Sequence, residues 1–112
     1  MANESAFIVK IKRYLKDRGA YCEKIWGGGF QSAGIPDIIG CYRGYFIGIE
    51  AKVGKNQPSE IQKVKIKNII KAGGFAKVVW SLDEVRELLD DIDKYIEEVN
   101  KIWVLGHMWV EL

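Results

Sequence analysis

Along residues 4–18, ESAFIVKIKRYLKDR, apolar side chains recur at Phe7, Ile8, Ile11, Tyr14 and Leu15, with lysines and arginines between them. That spacing predicts an amphipathic helix, with Asn3 as its cap and Gly19 as its stop signal. AYCEKIW follows as a short strand and runs into GGGFQSAG, a loop too rich in glycine for a regular element. IPDIIGCY and YFIGIEAKV then read as two strands joined through Arg43-Gly44, a connection short enough to make them an antiparallel hairpin.

In GKNQPSEIQKVKIKNIIKAGG, turn residues give way to Pro58 and Ser59 at a helix start. Ile61, Ile66, Ile69 and Ile70 fall on one side of that second helix before a double glycine. FAKVVW is a fourth strand, and SLDEVRELLDDIDKYIEEV a third helix with Ser81 and Glu84 in capping-box spacing. A helix between strands three and four has the length of a crossover, which predicts that those strands are parallel. The order is αβββαβα, an α/β fold with a mixed sheet. The tail NKIWVLGHMWVEL fits no single element: it is too apolar to leave in water, and so packs on the domain or meets a second copy.

With 112 residues and 48% hydrophobic content, the chain has enough material for one core and too little for two ordinary domains. The expectation is a single domain over 1–112, with a core at 4–80 followed by a C-terminal helix and tail at 81–112. No apolar run approaches the roughly 20 residues of a bilayer span, and the N-terminus lacks a signal peptide's apolar centre. An intracellular protein with no membrane partner is expected. Cys22 and Cys41 lack metal or redox spacing and read as reduced, ordinary core or near-core residues. Charge is divided unevenly: residues 1–80 carry 14 Lys and Arg against 6 Asp and Glu, and residues 81–112 carry 3 against 9. The first part has the electrostatics of a polyanion binder, although lysines also solvate helix faces.

The hairpin carries the candidate chemistry. Side chains alternate along a strand, so Glu50 and Lys52 share one face while Ile47, Ile49 and Ala51 take the other. Asp37, just after Pro36 on the partner strand, is brought towards Glu50 by the short turn. Two carboxylates and an ammonium thus converge at one end. They form either a structural ion network at the sheet edge or a site in which Asp37, Glu50 and the backbone carbonyl of Ala51 offer oxygens to a hard divalent cation.

Gly34-x-Pro36-Asp37, then Glu50-x-Lys52 thirteen positions after Asp37, then a Gly-Lys turn and a helix beginning near a glutamine, resembles the PD-(D/E)xK nuclease superfamily. Within it, AGIPDIIG and IGIEAKVGKNQPSEIQ look most like the stand-alone virus-type replication and repair nucleases, the VRR-NUC domains, with archaeal Holliday junction resolvases close in pattern. The resemblance covers about residues 4 to 80. It implies a restriction-endonuclease-like αβββαβ core and metal-dependent hydrolysis of DNA, with Mg2+ or Mn2+ held by Asp37, Glu50 and the Ala51 carbonyl. Lys52 would orient or activate the attacking water, Gln62 would match the active-site glutamine, and Glu4 would match the acidic residue of the first helix, a further candidate metal partner through a water. By their residue types alone, Gln62 also fits a capping box with Ser59, and Glu4 a favourable charge at a helix N-terminus. The resemblance further implies a homodimer that cuts branched DNA such as four-way junctions, viral or prophage origin and, if phage-encoded, action in the host cytoplasm.

The glycine loop has no GxxxxGK[ST] and turns into a strand, which argues against nucleotide hydrolysis. Gln31, Ser32 and Lys55 are its and the later turn's candidates for contacting DNA. The lysines at 10, 12, 16, 63, 65, 67 and 71 are candidates for neutralising phosphates. His107 is the only histidine and has no ligand spacing. Trp26 and Trp80, at strand ends, are expected to pack against the core. Three rivals remain: a nuclease of this fold acting on single-stranded, flap or unbranched duplex DNA, a DNA-binding module without catalysis, and a small-molecule enzyme.

Overall fold

The computed structural model describes residues 3–26 and 33–111, with side chains described as far as 103. The chain runs α1 (Glu4–Asp17), β1 (Tyr21–Lys24), β2 (Ile38–Tyr42), β3 (Tyr45–Ala51), α2 (Glu60–Lys71), β4 (Phe75–Val79) and α3 (Leu82–Glu111). Asn3 caps α1 by accepting from the Ala6 amide at 3.2 Å.

The four strands lie in chain order in one sheet. β1, β2 and β3 are antiparallel neighbours, and β3 and β4 are parallel, joined over one face by α2. The β2–β3 turn places Arg43 at φ 50° and Gly44 at φ 90°, the left-handed pair that a two-residue hairpin requires. Alternation then divides the sheet. Cys22, Ile38, Tyr42, Ile47, Ile49, Ala51 and Val79 meet Ile8, Ile11 and Leu15 of α1 and Val85, Leu88, Leu89 and Ile92 of α3 in one buried cluster. An ion network closes its edge. Arg18 reaches Asp90 at 3.0 Å and Asp93 at 3.1 Å, and Asp93 also accepts from Tyr42 at 2.9 Å and Arg43 at 2.9 Å.

The opposite face is covered differently. α2 lies over β3 and β4, and Gly48 permits its approach: a Cβ there would stand 2.9 Å from Ile69 Cδ1. Yet α2 buries no side chain fully, and Ile61 and Ile70, expected on its inward side, are 46% and 52% exposed. A trough of about 480 Å3 between α2 and the sheet, lined by Ile39, Phe46 and Ile69 among others, stays open.

Three further expectations need correction. Cys41 is exposed rather than near-core, because its side of β2 lies beyond the reach of α2; Cys22 is buried as expected. Trp26 is not in the core: it is 71% exposed, with the Lys24 ammonium 4.1 Å from its ring centroid. The tail takes one form, continuing α3 to Glu111, with Ile102 and Trp103 exposed along it. No described helix is long and apolar enough to cross a membrane.

Candidate active site

The β2–β3 register, Ile38 opposite Ile49, continues to set Asp37 opposite Glu50. The Asp37 carboxylate accepts from the Ala51 amide at 2.9 Å, while its own backbone carbonyl accepts from Ile25 at 2.7 Å. It is therefore anchored to both neighbouring strands. Lys52 continues β3, its amide donating to the Val79 carbonyl at 2.9 Å, and its ammonium lies 3.5 Å from Glu50 Oε2.

Glu50 is the anomaly of the molecule. It is 1% exposed, the one charged residue among the fully buried side chains described, and its Oε1 has no hydrogen-bond partner. Such an orphan is costly, since a buried carboxylate needs its lone pairs satisfied. Burial, followed by the adjacent Asp37 carboxylate, pushes the Glu50 pKa up to about 8, against the opposing pull of Lys52. A stabilising ion network would satisfy its members; this one leaves an oxygen unsatisfied and sets two carboxylates side by side.

The donor set fits a hard divalent cation, which takes oxygen ligands and relieves both the orphan and the repulsion. Among the described residues no group of three or more His, Cys, Asp and Glu side chains comes together. Two carboxylates suffice for Mg2+, which is usually held by one or two of them with waters and substrate phosphates completing the shell.

The other candidates are distributed as follows. Glu4 opens α1 with no ion-pair partner among the described residues. Gln62 forms the capping box: its Oε1 accepts from the Ser59 amide at 2.9 Å and its own amide donates to Ser59 Oγ at 3.2 Å. Lys55 is exposed in the turn after β3, which closes through Asn56 N–H to the Val53 carbonyl at 3.2 Å. Gln31 and Ser32 lie outside the described residues, as does the side chain of His107. Lys63 is paired with Glu60 at 3.1 Å, whereas Lys10, Lys16, Lys67 and Lys71 present exposed charge.

Trp80, although it stands at a strand end, does not pack into the core. It is 36% exposed and lines a cleft of about 310 Å3 with Asn3, Ala6, Phe7, Lys10, Val53 and Gly54. Its one sequence signal is its position directly after the strand that pairs with the Glu50-x-Lys52 strand.

Comparison with known proteins agrees with this geometry. The family model described as archaeal Holliday junction resolvase (hjc) matches residues 5–101 of the chain. Among solved structures, that of Archaeoglobus fulgidus Hjc, described as a Holliday junction resolvase from an archaeal hyperthermophile, is similar with a TM-score of 0.56 and 20% identity. The match covers 69% of this chain and 67% of that one. At this identity the likeness speaks for the fold, a mixed four-stranded sheet of restriction-endonuclease type. No curated protein matches.

Proposed function

The chain belongs to the archaeal Holliday junction resolvase (Hjc) family, which makes it a structure-specific nuclease of branched DNA, and on that premise we propose how its residues divide the work. Asp37, Glu50 and the Ala51 carbonyl hold Mg2+ or Mn2+, which when bound neutralises phosphate charge and makes a water more acidic. The orphaned Glu50 Oε1 carries this reading, because no protein group satisfies it.

Lys52 donates from its ammonium to the attacking water and a phosphate oxygen, held in place by Glu50 at 3.5 Å. The water adds to phosphorus in line with the 3′ oxygen and gives up a proton to solvent, while the P–O3′ bond breaks and the departing oxygen takes a proton, leaving a 3′ hydroxyl and a 5′ phosphate. Gln62 orients the water through its amide nitrogen, its carbonyl being engaged at the helix cap. Glu4, at the start of α1, assists through a water. Lys55, with Gln31 and Ser32 of the glycine loop, contacts the DNA backbone.

Residues 1–112 act as one domain, supported by the one buried cluster among the described residues, which α1, α3 and all four strands share. The exposed apolar residues along the distal part of α3 support a homodimer, in which two sites about a two-fold axis suit a two-fold junction. The motif spacing also supports kinship with the virus-type VRR-NUC nucleases. The substrate places the enzyme inside a cell, in the host cytoplasm if a virus encodes it.

The test is cleavage of a labelled four-way junction beside a duplex and a flap of matching sequence, in Mg2+, Mn2+ or EDTA. Paired, symmetric cuts in the junction that require metal are expected. Equal cutting of the unbranched duplex, or cutting in EDTA, would overturn the proposal.

A further inference from the structure

The cleft beside Trp80 is used by none of the roles above, and its position relates it to the reacting centre. Its walls come from the first turns of α1, the turn after β3 and the residue following β4. Because the Lys52 amide bonds to the Val79 carbonyl, the cleft begins one residue beyond the catalytic strand at Val53 and one beyond its neighbour at Trp80. The cleft therefore opens at the same end of the sheet as Lys52, on the side of α1.

Its chemistry is specific. Trp80 is fixed at two points: its indole N–H donates to the Asn56 carbonyl at 3.0 Å and its backbone amide to Glu84 Oε1 at 2.9 Å. A ring anchored in this way and still exposed loses little freedom when something stacks on it. Phe7 adds a second aromatic wall, and Lys10 stands at the rim with no carboxylate partner among the described residues. A volume of about 310 Å3 is at the lower end of small-ligand sites and has no room for a base pair held in a duplex. An aromatic face with a neighbouring cation suits one nucleobase and its phosphate, and such stacking tolerates any base.

We propose that the cleft formed by Trp80, Phe7 and Lys10 is a subsite for a single unpaired nucleobase of the DNA substrate, at the same end of the sheet as the phosphate that is cut. Trp80 stacks on the base and Lys10 neutralises its phosphate. The subsite deepens the nuclease reading and rests on it. It supplies a physical reason for preferring a branch, since a base leaves the stack at least cost where it is unpaired or poorly stacked.

The experiment places 2-aminopurine, a base whose fluorescence falls on stacking, at each nucleotide flanking the branch of a junction and of a flap. Binding is titrated in EDTA, so that the result is independent of catalysis. Quenching at one position beside the branch is expected with wild type and with Trp80→Phe, which keeps a ring but loses the indole N–H. Trp80→Ala loses the quench and weakens branched-DNA binding roughly 5- to 100-fold, leaving duplex binding unchanged. Lys10→Ala, an exposed change with no fold dependence, lowers the slope of log affinity against log salt by about one.

Equal losses in Trp80→Phe and Trp80→Ala would overturn the subsite, leaving Trp80 as a pin for the Gly54–Asn56 turn; so would an undiminished quench in Trp80→Ala. If Trp80→Ala fails to fold, Trp80→Leu, apolar but without a ring face, is read in its place. Ring-dependent quenching in a protein that cuts nothing with metal would retain the subsite and remove the catalytic assignment. Normal cutting and binding by Trp80→Ala would do the reverse.

Discussion

The two faces of the sheet are built to different standards. Against α1 and α3, Ile11, Leu15, Ile47, Ile49, Val85, Leu89 and Ile92 are all fully buried, whereas α2 on the other face buries none of its own residues completely. Glu50 belongs to the second face, beyond Gly48 on the same side of β3. The closed face supplies the cohesion that lets the other hold an unsatisfied carboxylate. Stability and chemistry thus occupy opposite sides of one strand, β3, whose alternating residues serve each in turn.

The largest effect that sharpens this contrast is on catalysis. Lys52→Ala is expected to reduce junction cleavage by roughly a thousandfold, within the usual range for losing a positioned proton-transfer or charge-stabilising group. At pH 6 in EDTA the unfolding midpoint should change little, because Glu50 takes up a proton when its ammonium partner is lost, and junction affinity should fall only by the loss of one phosphate contact. A variant that lost cleavage and folding together would show that the two faces are not separable.

The next contrast is in folding energy. Leu89→Ala empties a fully buried position and is expected to cost about 2–5 kcal/mol. Ile61→Ala removes a similar side chain from the half-exposed α2 and should cost less than about 1 kcal/mol. Urea denaturation of both variants measures the difference directly. Similar losses would mean that α2 is covered in solution, by a second copy or by another segment.

The sequence shows the element order because its signals are local. Period and caps located the helices, the Arg43-Gly44 turn carries both positive φ values, and the length of α2 required the parallel pairing of β3 with β4. The juxtaposition of Asp37, Glu50 and Lys52 was legible for the same reason: strand alternation and a two-residue turn leave one register. Burial of Trp26, Trp80, Cys41, Ile61 and Ile70 was not legible, because it depends on which part of a sheet a helix covers. α2 stops short of β1 and β2, and no periodicity within α2 reveals that. The helical form of the tail continues the apolar spacing of Ile92, Ile96 and Val99, but Ile102 and Trp103 are exposed along it, so burial does not mark it. Gln62 satisfies its local capping pattern in full, so its alternative role at the site has no local signature.

The smallest effect tests the cost of placing Glu50 where it is. In the unfolded chain its carboxyl ionises near the ordinary value of 4.5, and in the folded, metal-free protein only near about 8. Below pH 4.5 both states are protonated. Between the two values the folded state binds the extra proton, so its stability falls as pH rises, and above about 8 the loss is complete. Relaxation and water entry on ionisation reduce the nominal penalty to something on the order of 2 kcal/mol. Glu50→Gln lacks this titration and keeps the shape. In EDTA the stability of wild type should therefore fall relative to Glu50→Gln between pH 5 and pH 8.5, with titrating groups remote from Glu50 cancelling in the difference. Mg2+ or Mn2+ at pH 8.5 should restore the wild type alone, since the cation binds the ionised pair and only the folded state presents it. Parallel curves for the two proteins would show that Glu50 ionises without cost, and the buried carboxylate would no longer argue for a metal.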